Sequence, residues 1–192
     1  MSVSFAHVPA AVVDGDVLLH VGSPIREQRS LDAGQALAPL GDRVVLAVDG
    51  EDRLSWLDSL CSQSLAQLPP GQSTEMLILD PNGHVEHAAS VVDDGARTWL
   101  IVDRPDAGGL LTWLQRMRFR LRVDPQDLSA THGVVGGTSD AVAALPSVAL
   151  WRAPWPAITA GGWGYSPVDP HPGGSRDWAE AIVEGSELER LA

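Results

Sequence analysis

The order of signals between residues 43 and 128 predicts an α+β protein: a βαβββαβ lobe with an antiparallel sheet, followed by a partial second lobe of similar type. Three observations carry this expectation. Val44 to Val48 form an unbroken β-prone run, an Asn-Gly turn separates two further strand-like runs, and two stretches with helical apolar spacing fall between the strands.

Residues 1–42 read as an N-terminal segment. Ala11 to Val21 fits strand or loop, and Arg26 to Leu37 has helix-compatible spacing at Leu31 and Leu37. The first lobe, 43–128, opens with Val44-Val45-Leu46-Ala47-Val48, which lacks alternation and suits a strand buried on both faces. Asp49-Gly50-Glu51-Asp52 then puts carboxylates where the first turn of a helix has free N–H groups and positive potential. Leu54, Leu57, Cys61 and Leu65 continue one apolar stripe until Pro69-Pro70-Gly71, where proline has no N–H to extend the helix. Thr74 to Leu79 and His84 to Val92 flank Asp80-Pro81-Asn82-Gly83, a hairpin in which Asn-Gly is expected to supply positive φ angles.

A second turn, Asp93-Asp94-Gly95-Ala96, leads into Thr98 to Val102, so three antiparallel strands are expected in a row. Asp106 can cap a helix through Met117, with Leu110, Leu114 and Met117 on one face and Gly108-Gly109 weakening its first turn. From Arg118 to Val123 apolar residues alternate with arginine, the pattern of a strand with one buried face. Residues 129–192, the partial second lobe, begin the same order again: a strand near Gly133 to Val135, a helix from Ser139, and the apolar Val148 to Trp151. Gly161 to Gly164 and Pro167 to Gly174 are loop-forming, and Trp178 to Leu191 reads as one or two helical pieces.

Composition narrows the chemistry. All thirteen basic residues are arginine, so no lysine is present to form a Schiff base or complete a phosphate-binding P-loop. A net charge of -12 repels a nucleic-acid backbone at long range, which argues against DNA as a partner. A single cysteine, Cys61, cannot make an internal disulfide. No apolar run approaches the ~18 residues of a membrane span and the N-terminus lacks a basic signal region, so a cytoplasmic protein is expected.

Few residues stand out as sites. His84 and His87, three apart on a strand, point to opposite faces and do not make a metal pair. Arg116, Arg118, Arg120 and Arg122 could meet an anionic tail or an RNA phosphate, but a charged edge strand paired with carboxylates explains them more simply. Cys61, on the apolar stripe, reads as a small core residue. Gly133 to Gly137 lacks the lysine and spacing of a phosphate loop and reads as a turn between strand and helix. The seven tryptophans read mostly as core or interface anchors, with Trp155 and Trp163, in Pro/Gly-rich surroundings, the two to check for exposure.

The string formed by the valine-rich strand, the Gly50-Glu51-Asp52 helix start, Leu68-Pro69-Pro70-Gly71, Leu79-Asp80-Pro81-Asn82-Gly83-His84-Val85-Glu86 and Trp99-Leu100-Ile101-Val102-Asp103 resembles the glycine-cleavage T-protein (aminomethyltransferase) superfamily, nearest its YgfZ-type folate-binding branch. The likeness runs over roughly residues 22 to 192. It implies two ferredoxin-like lobes and a C-terminal barrel around a central tetrahydrofolate pocket, of which about half is here, with residues 43–128 as the first folate-binding lobe. The Lys-Gly-Cys-Tyr-x-Gly-Gln motif of the YgfZ branch is absent, so a fragment or a natural remnant is expected.

By the same resemblance, Glu86 stands where the T-protein pattern has a folate-contacting aspartate, and Asp103 where it has an asparagine. The extra methylene at Glu86 and the acceptor-only carboxylate at Asp103 both argue against aminomethyl transfer. The implied protein binds tetrahydrofolate or a derivative through Glu86 and Asp103 and assists iron-sulfur client proteins without catalysing a reaction alone. Two alternatives follow: an active aminomethyltransferase, or a structural module whose truncated second lobe exposes apolar surface and favours self-association.

Overall fold

The structure is a computed structural model that describes residues 5, 7–15, 17–155 and 161–191. A hairpin of β1 (Ala11–Asp14) and β2 (Val17–Val21) leads into α1 (Pro24–Asp32) and the two-residue β3 (Ala38–Pro39). Then come β4 (Arg43–Asp49), α2 (Arg53–Leu60), β5 (Ser73–Leu79), β6 (Val85–Asp93), β7 (Arg97–Asp103), α3 (Arg104–Arg116) and β8 (Asp124–Asp127). The chain continues as β9 (His132–Gly137), α4 (Ser139–Ala143), β10 (Ala149–Arg152), β11 (Ala179–Glu184) and α5 (Gly185–Leu191).

Strands β5-β6-β7-β4-β8 make a five-stranded antiparallel sheet, so residues 43–127 follow the expected βαβββαβ order. A second antiparallel sheet has the order β10-β11-β9-β3. Ala38 and Pro39, assigned by sequence to the N-terminal segment, pair with Gly136 and Val135 of that second sheet.

The two sheets face each other. Val45, Ala47, Val92, Trp99 and Ile101 of the first meet Val134, Ala149, Trp151 and Ile182 of the second. On the far side of the first sheet, Leu46, Met76, Ile78 and Leu100 pack under Leu57 of α2 and Leu110 and Leu114 of α3. On the far side of the second, Val135, Ala181 and Val183 pack with Val142 of α4 and Leu188 of α5. The layers therefore run helix, sheet, sheet, helix. This arrangement is why Val44 to Val48 read as an unbroken apolar run: all five are buried, three toward the helices and two toward the other sheet.

Four expectations need correction. The first helix ends at Leu60, and Cys61 is already extended at φ -125° and ψ 171°. The Asp58 carboxylate draws the chain back by accepting the N–H groups of Leu65 and Ala66 at 2.7 and 3.0 Å, so Leu65 is buried from a loop. In the first hairpin only Gly83 has positive φ (+86°), and its N–H donates to Asp80 O at 3.0 Å, a type I turn followed by a left-handed glycine.

Residues 118–123 are a turn and not a strand: Phe119 takes φ +45° and is 81% exposed, Leu121 is exposed, and of the three apolar residues only Val123 is buried. The Arg122 N–H donates to Asp52 at 2.9 Å, and its guanidinium pairs with Asp52 and Glu51, which anchors the turn to the start of α2. The pairing strand is β8, where Pro125 is tolerated because β8 is an edge. Finally, Ala179–Glu184 is strand. Ala179 to Val183 are buried on both faces, which erases the alternation that would have marked it.

Candidate functional site

Where the two sheets diverge beyond their shared core, a cleft of about 290 Å³ opens between them. Arg43, Glu75, Ser90, Ile101 and Asp103 line it from the first sheet and Trp151 and Glu180 from the second. Trp155, Tyr165, Arg176 and Trp178 complete the wall from the segment joining β10 to β11.

Glu180 is the buried carboxylate of this cleft, 7% exposed. Its position on β11 turns it, like Ile182, toward the first sheet, while Ala179 and Ala181 face the helices. Burial raises its pKa above the ordinary carboxylate range, opposed by a hydrogen bond donated from Trp178 Nε1 to Glu180 Oε1 at 3.1 Å and by the nearby charges of Arg43 and Arg176. Trp178 reaches this place because Gly136 has no side chain: a Cβ there would lie 2.5 Å from the Trp178 ring. The strand expected near Gly133 to Val135 is present and runs on through Gly136 and Gly137, where a turn was expected, and the glycines of β9 mark close approach of other side chains.

On the opposite wall, Glu75 accepts hydrogen bonds from Tyr165 Oη at 2.6 Å and from Trp155 Nε1 at 3.3 Å. Tyr165 is 64% exposed as a whole, but local desolvation of its hydroxyl, followed by the Glu75 contact, pushes that group up to about 12, so it stays protonated and donating at any physiological pH. The Trp155 and Tyr165 rings meet edge to face, 6.2 Å apart at 70°, and the Arg176 guanidinium sits 4.5 Å from the centre of the Trp155 ring. The cleft therefore combines hydrogen-bond acceptors, indole faces and guanidinium groups.

Asp103 lines the cleft at the end of β7 and pairs with Arg43, the residue directly across from it on β4. Glu86 does not line it. The register shifts so that Ile78 opposes His87 and Leu79 opposes Val85, which leaves Glu86 as the extra residue of a bulge. Its side chain is exposed, two residues beyond Ala88, which does reach the cleft. The sheltered setting expected for Glu86 is thus not found in this chain.

The two histidines separate as their spacing implied. His84 lies 3.1 Å from Asp80 in the hairpin turn, whereas His87 lies 2.7 Å from Asp106 on α3. No group of three or more His, Cys, Asp or Glu among the described residues is placed to hold a metal ion. Burial raises the Cys61 thiol to about 11. Trp163 is 77% exposed, while Trp155 is half-buried in the cleft wall.

Sequence reasoning missed Glu75, Glu180, Tyr165, Arg176 and Trp178. Glu75 carried a readable signal, since an acidic residue alternates there with the buried Thr74 and Met76. Glu180 carried a weaker one, a lone carboxylate inside an apolar stretch.

No family model matches the sequence. Among solved structures, the chain resembles the glycine cleavage system aminomethyltransferase T from Bartonella henselae, with a TM-score of 0.64 at 13% identity over 95% of this chain and 53% of that one. It also aligns with a chain of heterotetrameric sarcosine oxidase from Corynebacterium sp. U-96, with a TM-score of 0.45 at 14% identity over 85% of this chain and 86% of that one. The first likeness establishes the fold: a T-protein-like mixed α/β architecture with antiparallel sheets. The chain spans about half the length of the aminomethyltransferase it matches. No helix among the described residues is long and apolar enough to cross a membrane.

Proposed function

We propose that this chain binds tetrahydrofolate or a derivative, with the ring system of the ligand in the cleft between the two sheets. The observation that carries this reading is the buried Glu180 beside Trp178 in that cleft. A reduced pterin presents adjacent N–H donors along one edge and two flat faces. A carboxylate acceptor and an indole wall are the complementary chemistry. At about 290 Å³ the cleft is near the lower limit of small-molecule pockets, which suits the ring system while the glutamate tail lies outside.

On this reading the protein is YgfZ-like, auxiliary to iron-sulfur cluster maintenance in the cytoplasm, and Asp103 is the retained pocket residue. Support comes from the T-protein-like fold together with the two departures from the aminomethyltransferase pattern at Glu86 and Asp103. Glu86 keeps a role only through the ligand portion that emerges past Ala88. The second reading, an active aminomethyltransferase, rests on the carboxylate retained at position 86 together with the T-protein-like fold.

Calorimetry with tetrahydrofolate separates these ideas. Binding by the wild-type chain, lost in Glu180→Ala and only weakened in Glu86→Ala, supports the cleft. Absence of heat with the wild type removes the folate reading. Formation of methylene-tetrahydrofolate in a reconstituted glycine-cleavage assay would move the aminomethyltransferase to first place.

A further inference from the structure

The segment between β10 and β11 supplies the aromatic wall of the cleft but has no helix or strand of its own in its described residues. It is rich in glycine and proline, residues that favour turns over regular elements. Two of its aromatic groups, Trp155 and Tyr165, converge on one carboxylate. Glu75 sits on β5, an edge strand of the first sheet, with its side chain on the face opposite Met76 and Ile78, which pack under the helices. One of its oxygens accepts from Trp155 and the other from Tyr165. Arg176 covers the Trp155 ring from the same segment.

We infer that Glu75 is a positioning residue for ligand recognition: it fixes Trp155 and Tyr165 as a stacking wall, and so selects ligands with a flat conjugated ring. Glu75 acts through the rings it holds, since both of its oxygens accept from their donors. The inference rests on the proposed binding of a reduced folate in the same cleft, and extends it by assigning selection of the ring to the linking segment. Aromatic ring surface has no directional preference among flat rings, so discrimination within that class falls to Glu180 on the other side.

The test uses the full chain with two ligands, tetrahydrofolate and a reduced pterin lacking the aminobenzoyl-glutamate tail, and the variants Glu75→Ala, Glu75→Gln and Tyr165→Phe. Amide hydrogen exchange of residues 161–176 reads the clasp without ligand. Glu75→Ala is expected to raise exchange there and to weaken both ligands about tenfold, the effect of losing roughly one net hydrogen-bond contribution. Glu75→Gln, which keeps one acceptor oxygen, is expected to recover part of both effects, and Tyr165→Phe to fall between.

Weakening of tetrahydrofolate alone, with the bare pterin unaffected, would overturn the assignment of the wall to the ring. Unchanged exchange in Glu75→Ala would overturn the clasp itself, whether or not ligand binds. Failure of the wild type to bind either ligand, with exchange responding as expected, would instead remove the folate reading and the ligand class with it, while leaving the clasp standing.

Discussion

The two lobes share a plan of antiparallel sheet with helices on the outer face, yet differ in how they hold together. In the first, a 13-residue α3 and an eight-residue α2 cover five strands, with large side chains such as Leu57, Leu100, Leu110 and Leu114 fully buried. In the second, helices of five and seven residues cover four strands, and many strand positions are small, among them Gly133, Gly136, Gly137, Ala149, Ala179 and Ala181. Much of the cleft wall, including Glu180, Trp178, Trp155, Tyr165 and Arg176, comes from the second lobe. The difference separates two jobs: the first lobe is a packed platform, and the second trades core volume for space in which rings and charges can be placed.

The sharpest way to break that contrast is at the first lobe's buried ion pair. Arg53 meets both oxygens of Asp93 at 2.8 Å, and Thr98 Oγ1 also donates to Asp93 at 2.6 Å. Arg53→Ala leaves a buried carboxylate without its cation and is expected to lower unfolding free energy by about 3 to 5 kcal/mol in a urea titration. Next in size is a matched pair of truncations. Leu100→Ala, at a fully buried site, should cost about 2 to 5 kcal/mol, whereas Leu188→Ala, at a half-buried site on α5, should cost about 1 kcal/mol. Equal losses would show that the second lobe is packed as tightly as the first.

Gly136→Ala probes the space the second lobe reserves. The added methyl would lie 2.5 Å from the Trp178 ring and 3.1 Å from Leu40 Cδ1, so an overpacking cost of about 1 to 3 kcal/mol and a shift in tryptophan emission are expected. The smallest effect belongs to Glu180→Gln. Because burial raises the Glu180 pKa above the ordinary glutamate value, folding favours the protonated acid, and its contribution is intact below that value and lost as pH rises through the folded-state pKa. The amide, which carries no such penalty, should melt slightly higher than wild type at pH 7, with the gap closing toward pH 4. A gap that widened on acidification would contradict the assignment.

The same contrast explains what was legible in the sequence. Platform elements announce themselves: β4 as an unbroken apolar run, the hairpin at Asp80 to Gly83 through its turn residues, and α3 through Leu110 and Leu114. The second lobe hides its elements because small residues blur periodicity, so β11 looked helical and the glycines of β9 looked like a turn. The arginine alternation at 118–122 misled for another reason. Its period suited a strand, but Arg122 is claimed by Asp52 and Glu51, and that tertiary tie bends the chain first. Of the expected pocket residues, Asp103 lies in the cleft lining and Glu86 outside it, displaced by a bulge that no residue pattern announced. Glu75 escaped because a single acid in a strand reads as a solvated position until the facing sheet is known, and Glu180 because its strand read as helix.

The short strand β3 has a consequence for the order of assembly. Its partner lies almost a hundred residues away in sequence, and the whole of the first lobe is threaded between them. The second sheet is thus stitched from chain on both flanks of a self-contained insert, and closing so long a loop is favourable only once that insert has become compact. Pairing of β3 with β9 is therefore expected to follow compaction of the first lobe, an order that hydrogen-exchange labelling during refolding would read.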